Sequence, residues 1–331
     1  MAYITLNKDN FFYNLDIIAN KTKNIDKIAL VLKDNAYGHG LCEIAKLAFE
    51  YGITKAVVSL NEEALQIQEY FDYILVLADV PTKASKKIRY TINDIKKINL
   101  YPKNTLVELK VNSGMNRNGI EPEELDEALS QIKKHGLKIE AIFTHHGCAD
   151  ELNGYFEFQK KNFELIKQKS PKNLRFHSCN SAALFREDDF CEDMVRVGIA
   201  AYGCLELKDE ICKLDLKPVL SVYAKYISKR HIAYDECVGY GATYISKKDE
   251  EDVSNYDFGY GHGFLRVCSN VYKTPVGVEI AGKISMDSSS FISNEDELLI
   301  FDDAKEVAKY AKTISYEVLT SLKSNIKRVI I

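Results

Sequence analysis

The chain has 331 residues, 46% of them hydrophobic, and a net charge of −4 from 44 Lys+Arg against 48 Asp+Glu. That composition supplies a full apolar core and excludes wholesale disorder. There is no sustained basic run and no apolar run near the about 18 residues of a membrane span, so a nucleic-acid backbone and a bilayer core are excluded as partners.

In chain order, Met1–Asn10 carries no apolar signal core. Residues 6–20 read as an amphipathic helix: Phe11, Leu15 and Ile18 recur at helical spacing and Asn7 is placed to cap it. Short apolar runs then alternate with helical stretches. The runs are 28–32, 56–59, 74–78, 90–92, 106–111, 139–144, 174–177 and 194–197, and most are separated by helix-like segments such as 40–51, 61–70, 121–135 and 155–168. Unbroken apolar strands alternating with helices mean parallel strands covered on both faces. Eight such units point to a closed (β/α)8 TIM-like barrel. Periodicity alone leaves a doubly wound open sheet as the alternative.

The texture changes after Lys217. Residues 219–227 alternate, and short β-like pieces follow at 238–245, 256–259, 276–284 and 297–300. Residues 305–323 read as helical and 328–331 as a last strand. The expected organisation is a barrel over 6–215 and a mainly β domain over 216–331. The eight cysteines show no Cys-x-x-Cys spacing and read as reduced thiols of a cytoplasmic protein. Missing ligand spacing argues against zinc.

Chemistry concentrates first at Val31-Leu32-Lys33-Asp34-Asn35-Ala36-Tyr37-Gly38-His39-Gly40. Lys33 ends an apolar strand, where barrel active sites are built. An amine flanked by buried apolar residues loses its proton more easily and becomes nucleophilic. Asn180-Ser181-Ala182 follows a strand and opens a helix, which offers a hydroxyl and free N–H groups to a phosphate. Gly198, before Ile199, allows close backbone approach. Arg196 ends another apolar strand as a permanent cation. His145 and His146 are neighbours on a strand and point to opposite faces, which disfavours a shared metal ion.

These motifs, with Leu109-Lys110-Val111-Asn112-Ser113-Gly114-Met115-Asn116-Arg117, Val238-Gly239-Tyr240-Gly241 and Gly282-Lys283-Ile284-Ser285-Met286-Asp287, resemble the alanine racemases, a family of fold-type III pyridoxal-phosphate enzymes. The resemblance runs in order from Ile4 to Ile330. It implies that residues 1–5 form a strand with the C-terminal domain and that the enzyme is a head-to-tail homodimer with shared active sites. Lys33 matches the pyridoxal 5'-phosphate lysine and the base on the D-isomer face. Tyr240, from the partner chain, matches the base on the L-isomer face. Tyr37, Asn180, Ser181, Gly198, Ile199 and Tyr316 match cofactor-binding positions. His145 and Arg196 match a hydrogen-bonded relay to that tyrosine, with Arg196 facing the pyridine nitrogen. Arg117 and the amide of Met286 match contacts to the substrate carboxylate. Lys110 matches a lysine often carbamylated in the family, and Tyr260 and Asp287 match the entryway.

Some positions depart from the family pattern. Val197 stands for a usual proline, Asn112-Ser113 for Asp-Thr, His262 for an acidic residue and Lys283 for arginine; His146 and Cys148 are unusual after His145. The implied reaction is racemisation of alanine, supplying D-alanine for peptidoglycan. A broader racemase acting on serine is the nearest rival. A non-catalytic pyridoxal-phosphate protein would lack Tyr240 and the β domain. A decarboxylase would need a Cys–Asp pair that is not found.

Overall fold

The eight apolar runs of the first half form one parallel ladder in the computed structural model, which describes residues 1–331. In chain order they are β2 (Ile28–Val31), β3 (Lys55–Val58), β4 (Tyr73–Val76), β5 (Ile88–Ile92), β6 (Leu106–Lys110), β7 (Lys138–Phe143), β8 (Arg175–His177) and β9 (Val195–Val197). The order is β8-β7-β6-β5-β4-β3-β2-β9, so β9 pairs with β2 across the sequence. Between β8 and β9 the amides of Asp193 and Arg196 donate to the carbonyls of Phe176 and Cys179, at 3.3 and 3.0 Å. The ladder is therefore a nearly closed barrel, and the open doubly wound sheet is set aside. Every residue of β2 and β4 is buried, as expected of strands covered on both faces.

The predicted helices appear with shifted ends. The first is Lys8–Thr22, where the Asn7 side chain accepts from the Asn10 amide at 2.8 Å. Others are Leu41–Tyr51, Asn61–Ile67, Leu125–Lys134 and Tyr155–Lys169. No helix separates β4 from β5.

The second half is a sheet in the order β14-β13-β10-β1-β16, with β15 also on β10. Here β1 is Tyr3–Leu6, β10 is Leu220–Ile232, β13 is Glu251–Tyr256, β14 is Ser289–Ile292, β15 is Glu297–Phe301 and β16 is Lys327–Ile330, while β11 (Cys237–Val238) and β12 (Tyr244–Ile245) pair as a separate ribbon. The N-terminal strand lies antiparallel to β10 and parallel to β16. Several expectations need correction. The piece at 238–245 is broken by a turn at Tyr240–Ala242, where Gly239, Gly241 and Ala242 have φ of 71°, 72° and 47°. Residues 276–284 hold no strand; Gly277 and Gly282, at φ 83° each, bend the chain out of extension. The strand expected at 256–259 instead runs Glu251–Tyr256. Its polar sequence hid it, because Glu251 is buried and accepts a 2.5 Å hydrogen bond from the Tyr244 hydroxyl. The helix expected over 305–323 is two, Ala304–Ala311 and Ser315–Ser321, divided at left-handed Lys312. One continuous cluster of 87 buried apolar residues runs through barrel and sheet. No helix is long and apolar enough to cross a membrane.

Candidate active site

Lys33 leaves the C-terminal end of β2 into a left-handed turn. Asp34, Asn35, Ala36 and Tyr37 have φ of 54°, 56°, 51° and 52°. For L-residues this conformation costs about 1–2 kcal/mol each, so the surroundings must hold it. They do so with specific bonds. Glu63, which also caps its own helix, accepts from the Asp34 amide at 2.7 Å. Asn35 Oδ1 accepts from the Leu41 amide at 2.9 Å. The Arg328 guanidinium, from β16, donates to the Gly38 carbonyl at 2.8 Å. Lys33 Nζ lies 3.0 Å from Asp34 Oδ2 and its side chain is 36% exposed. In the single chain without cofactor, Asp34 is therefore the ion-pair partner of Lys33.

Opposite this turn is a cluster of donors without acceptors. The helix Ser181–Arg186 is capped by Asn180, whose Oδ1 accepts from the Ala183 amide at 2.9 Å. The amides of Ser181 and Ala182 sit in its first turn, where no intrahelical acceptor exists. Ser181 Oγ accepts from the Gly198 amide at 3.1 Å, while the Ile199 amide has no protein acceptor. The hydroxyls of Tyr37 and Tyr316 make no protein hydrogen bond, and their rings lie 5.8 Å apart. A Cβ on Gly198 would stand 2.6 Å from the Tyr37 hydroxyl, so only glycine leaves this space open. Many donors around a space with few acceptors suit an anion, and a phosphate fits.

Three cations lie on the other side. Lys110 ends β6, and burial, then Arg196 and Arg117, hold its ammonium down to about 8. No carboxylate pairs with Lys110, Arg117 or Arg196. Burial first, then Arg196, Lys110 and Arg117, push the His145 imidazole well below its usual range. Arg196 is buried. Its Nη1 donates to His177 Nδ1 at 2.5 Å, and its Nη2 to the carbonyls of Thr144 and Ser178 at 2.7 and 3.0 Å. Its Nε has no protein acceptor. In the single chain the histidine bonded to Arg196 is His177, and no hydrogen bond joins His145 to Arg196. His177 ends the strand before Asn180 and has no role in the sequence reading. The sequence signal for its partner was Glu108, a carboxylate in the middle of a barrel strand.

Several departures from the family pattern are absorbed locally. Ser113 Oγ bonds Thr144 Oγ1 at 2.8 Å, His146 Nε2 bonds Ser178 Oγ at 2.8 Å, and His262 Nδ1 accepts from the Gly259 amide at 3.2 Å.

Of its C-terminal candidates the single chain brings Tyr316 to these groups and leaves the others apart. Tyr240 is 66% exposed and Met286 57%. Tyr260 and Asp287 lie with them: the Tyr260 and Gly261 amides donate to the carbonyls of Ser285 and Met286 at 3.0 and 2.7 Å. No hydrogen bond or ion pair links Tyr240, Tyr260, Met286 or Asp287 to Lys33, Arg117 or Arg196.

Comparison with known proteins bears on the whole chain. The alanine racemase N-terminal domain family matches residues 6–206, and its C-terminal domain family matches residues 219–330. Alanine racemase of Campylobacter curvus (strain 525.92) is 40% identical over 339 aligned residues, covering 99% of each chain. That of Campylobacter jejuni serotype O:23/36 is 38% identical and covers all of both. Among solved structures, alanine racemase from Clostridium difficile 630 superposes with a TM-score of 0.91 at 27% identity, over 100% of this chain and 95% of that one. The alanine racemase from E. faecalis gives 0.89 at 27% identity, over 100% and 98%.

Proposed function

The chain belongs to the alanine racemase family, and on that footing we propose how its own residues interconvert L- and D-alanine, supplying D-alanine for peptidoglycan. The observation that carries the reading is the joint placement of Lys33, the donor-rich space around Gly198 and the buried cation Arg196 at one mouth of the barrel.

Pyridoxal 5'-phosphate, when bound, withdraws electrons from the amino-acid Cα and makes its proton labile. The Ser181 hydroxyl, the amides of Gly198 and Ile199 and the hydroxyls of Tyr37 and Tyr316 would hold the phosphate, with Asn180 fixing the helix end that carries Ser181. Lys33 would carry the cofactor. Arg196, with its Nη edge engaged and Nε free, would face the ring nitrogen and disfavour protonation there. That keeps the chemistry to loss and return of one proton.

Inversion needs a base on each face. Lys33 Nζ moves the proton on the D-isomer face. Tyr240 from a second chain moves it on the L-isomer face, with His145 beside it. Arg117 and the Met286 amide hold the substrate carboxylate, and Tyr260 and Asp287 line the way in. Exposed Tyr240 and Met286 call for a homodimer whose sites are shared. A buried, unpaired Lys110 near Arg117 suits conversion to a carbamate, which would give Arg117 an anionic partner. The eight unpaired cysteines accord with a reducing cytoplasm.

The test is the purified protein with added pyridoxal 5'-phosphate, assayed on alanine, serine and a basic amino acid in both directions. Racemisation of alanine fastest, and cofactor fixed by borohydride onto Lys33, are expected. A protein that stays inactive on alanine and takes up no cofactor would contradict the reading.

A further inference from the structure

The barrel interior is not filled by aliphatic layers alone. A buried polar column descends from Arg196 through β8 and β6. His177 Nε2 faces Glu108 Oε2 at 2.8 Å, and neither side chain is exposed at all. Glu108 Oε1 also accepts from the Tyr73 hydroxyl at 2.6 Å and from Arg175 Nη2 at 2.9 Å. Below it, Arg175 Nη2 and Arg89 Nε reach Glu140 Oε2 at 3.2 and 2.9 Å. The His177 ring stacks on Phe143, with centroids 4.7 Å apart and planes 9° apart, so it is fixed in orientation.

Hydrogen-bond logic then determines the protons. A guanidinium has only donors, so His177 Nδ1 must present a lone pair to Arg196 Nη1. A neutral imidazole must therefore carry its proton on Nε2, and that proton needs an acceptor. Glu108 is the acceptor at that position. An imidazolium would set an Nδ1–H against the Arg196 N–H. Burial pushes the Glu108 carboxyl up, but the Arg175 guanidinium and the hydrogen bonds from His177 and the Tyr73 hydroxyl outweigh it and hold the carboxyl below the usual carboxylate range.

We propose that Glu108 is a positioning residue for the racemase reaction: it fixes the His177 tautomer, and His177 in turn fixes the Nη edge of Arg196 so that Nε points to the site. This rests on the reading that Arg196 faces the cofactor nitrogen. It also explains why Arg196 touches no carboxylate. Its counter-charges stand one residue away, at Glu108 behind His177 and at Glu192, which accepts from the Ser178 amide at 2.6 Å while Arg196 holds the Ser178 carbonyl. The cation is balanced without being neutralised at the edge it presents. A neutral Glu108 replacement of the same shape can turn its amide toward His177 Nε2, which permits the proton on Nδ1 and expels Arg196 from its bond.

The experiment uses the loaded enzyme with 15N-labelled histidine imidazoles. His177 is assigned by its absence in His177→Asn. The wild-type protein should show a pyridine-type Nδ1 and a protonated Nε2. Glu108→Gln should lose that single tautomer and lower kcat in both directions by about 10- to 100-fold, with KM for alanine within about twofold. The double variant Glu108→Gln/His177→Asn should be no slower than His177→Asn alone, because the two residues act in series. A proton on Nδ1 in the wild type overturns the proposal whether or not any variant folds. So does Glu108→Gln with unchanged tautomer and kcat, and so do losses that multiply in the double variant. An enzyme inert on alanine would overturn the functional reading instead and leave the tautomer result standing.

Discussion

Gly198→Ala probes the donor-rich space by adding one methyl group. The new Cβ would stand 2.6 Å from the Tyr37 hydroxyl, 2.9 Å from Cζ and 3.3 Å from Cε2. Ordinary carbon contacts begin near 3.5 Å, so the ring must retreat by about 1 Å. It has little room: the Tyr202 and Tyr316 rings stand 5.3 and 5.8 Å from it, and Tyr202 is itself anchored by a 2.9 Å bond to the Val31 carbonyl. Overpacking of this kind costs about 1–3 kcal/mol. The same displacement takes the Tyr37 hydroxyl from the phosphate space, and at 1.4 kcal/mol per decade an affinity loss of about tenfold or more follows. Gly154→Ala is the control. Gly154 has φ 76° and nothing within 4 Å, so it carries only the left-handed strain of about 1 kcal/mol. Urea unfolding of cofactor-free protein and absorbance titration with pyridoxal 5'-phosphate read the two effects. Gly198→Ala binding the cofactor within about twofold of wild type, as the control should, would refute the placement of the phosphate.

Lys33→Ala should abolish racemisation in both directions and leave no borohydride-fixed cofactor; near-normal turnover without added amine would contradict its double role. Asn35→Ala removes the acceptor for the Leu41 amide and should cost about 1–2 kcal/mol in urea unfolding; a neutral result would mean that the left-handed turn is held elsewhere. Lys110 supplies a pH test. Its ammonium is held down to about 8 in the fold against an ordinary 10.5, so the unfolded chain binds more protons between those values and stability should rise with pH across that window. With carbon dioxide excluded, Lys110→Met should be more stable by up to about 3 kcal/mol at neutral pH, the gap closing as pH rises past about 8. A gap that widens with pH would show the sign to be wrong.

The barrel was legible because each parallel strand is buried on both faces and leaves an apolar run that polar loops interrupt. The β domain was less legible. Strand β13 carries Glu251, Asp252, Ser254 and Asn255, and its pairing rather than its composition makes it a strand. The local motifs around Lys33 and Ser181 marked their own turns. The sequence could not disclose that Lys33 pairs with Asp34, or that four L-residues take a left-handed turn, since Glu63 and Arg328, which hold that turn, are remote in the chain. The partner of Arg196 was missed for a similar reason. Choosing His177 over His145 requires knowing which strand ends face across the barrel.

Sharing of the site between chains is tested most directly by mixing two inactive variants, Lys33→Ala and Tyr240→Phe, under conditions that exchange subunits. Each heterodimer would hold one site with both defects and one with neither. With random exchange at equal amounts about half the dimers are mixed, so activity should recover to roughly one quarter of wild type. Subunit exchange shown independently, with no recovery, would place both bases on one chain and contradict the account.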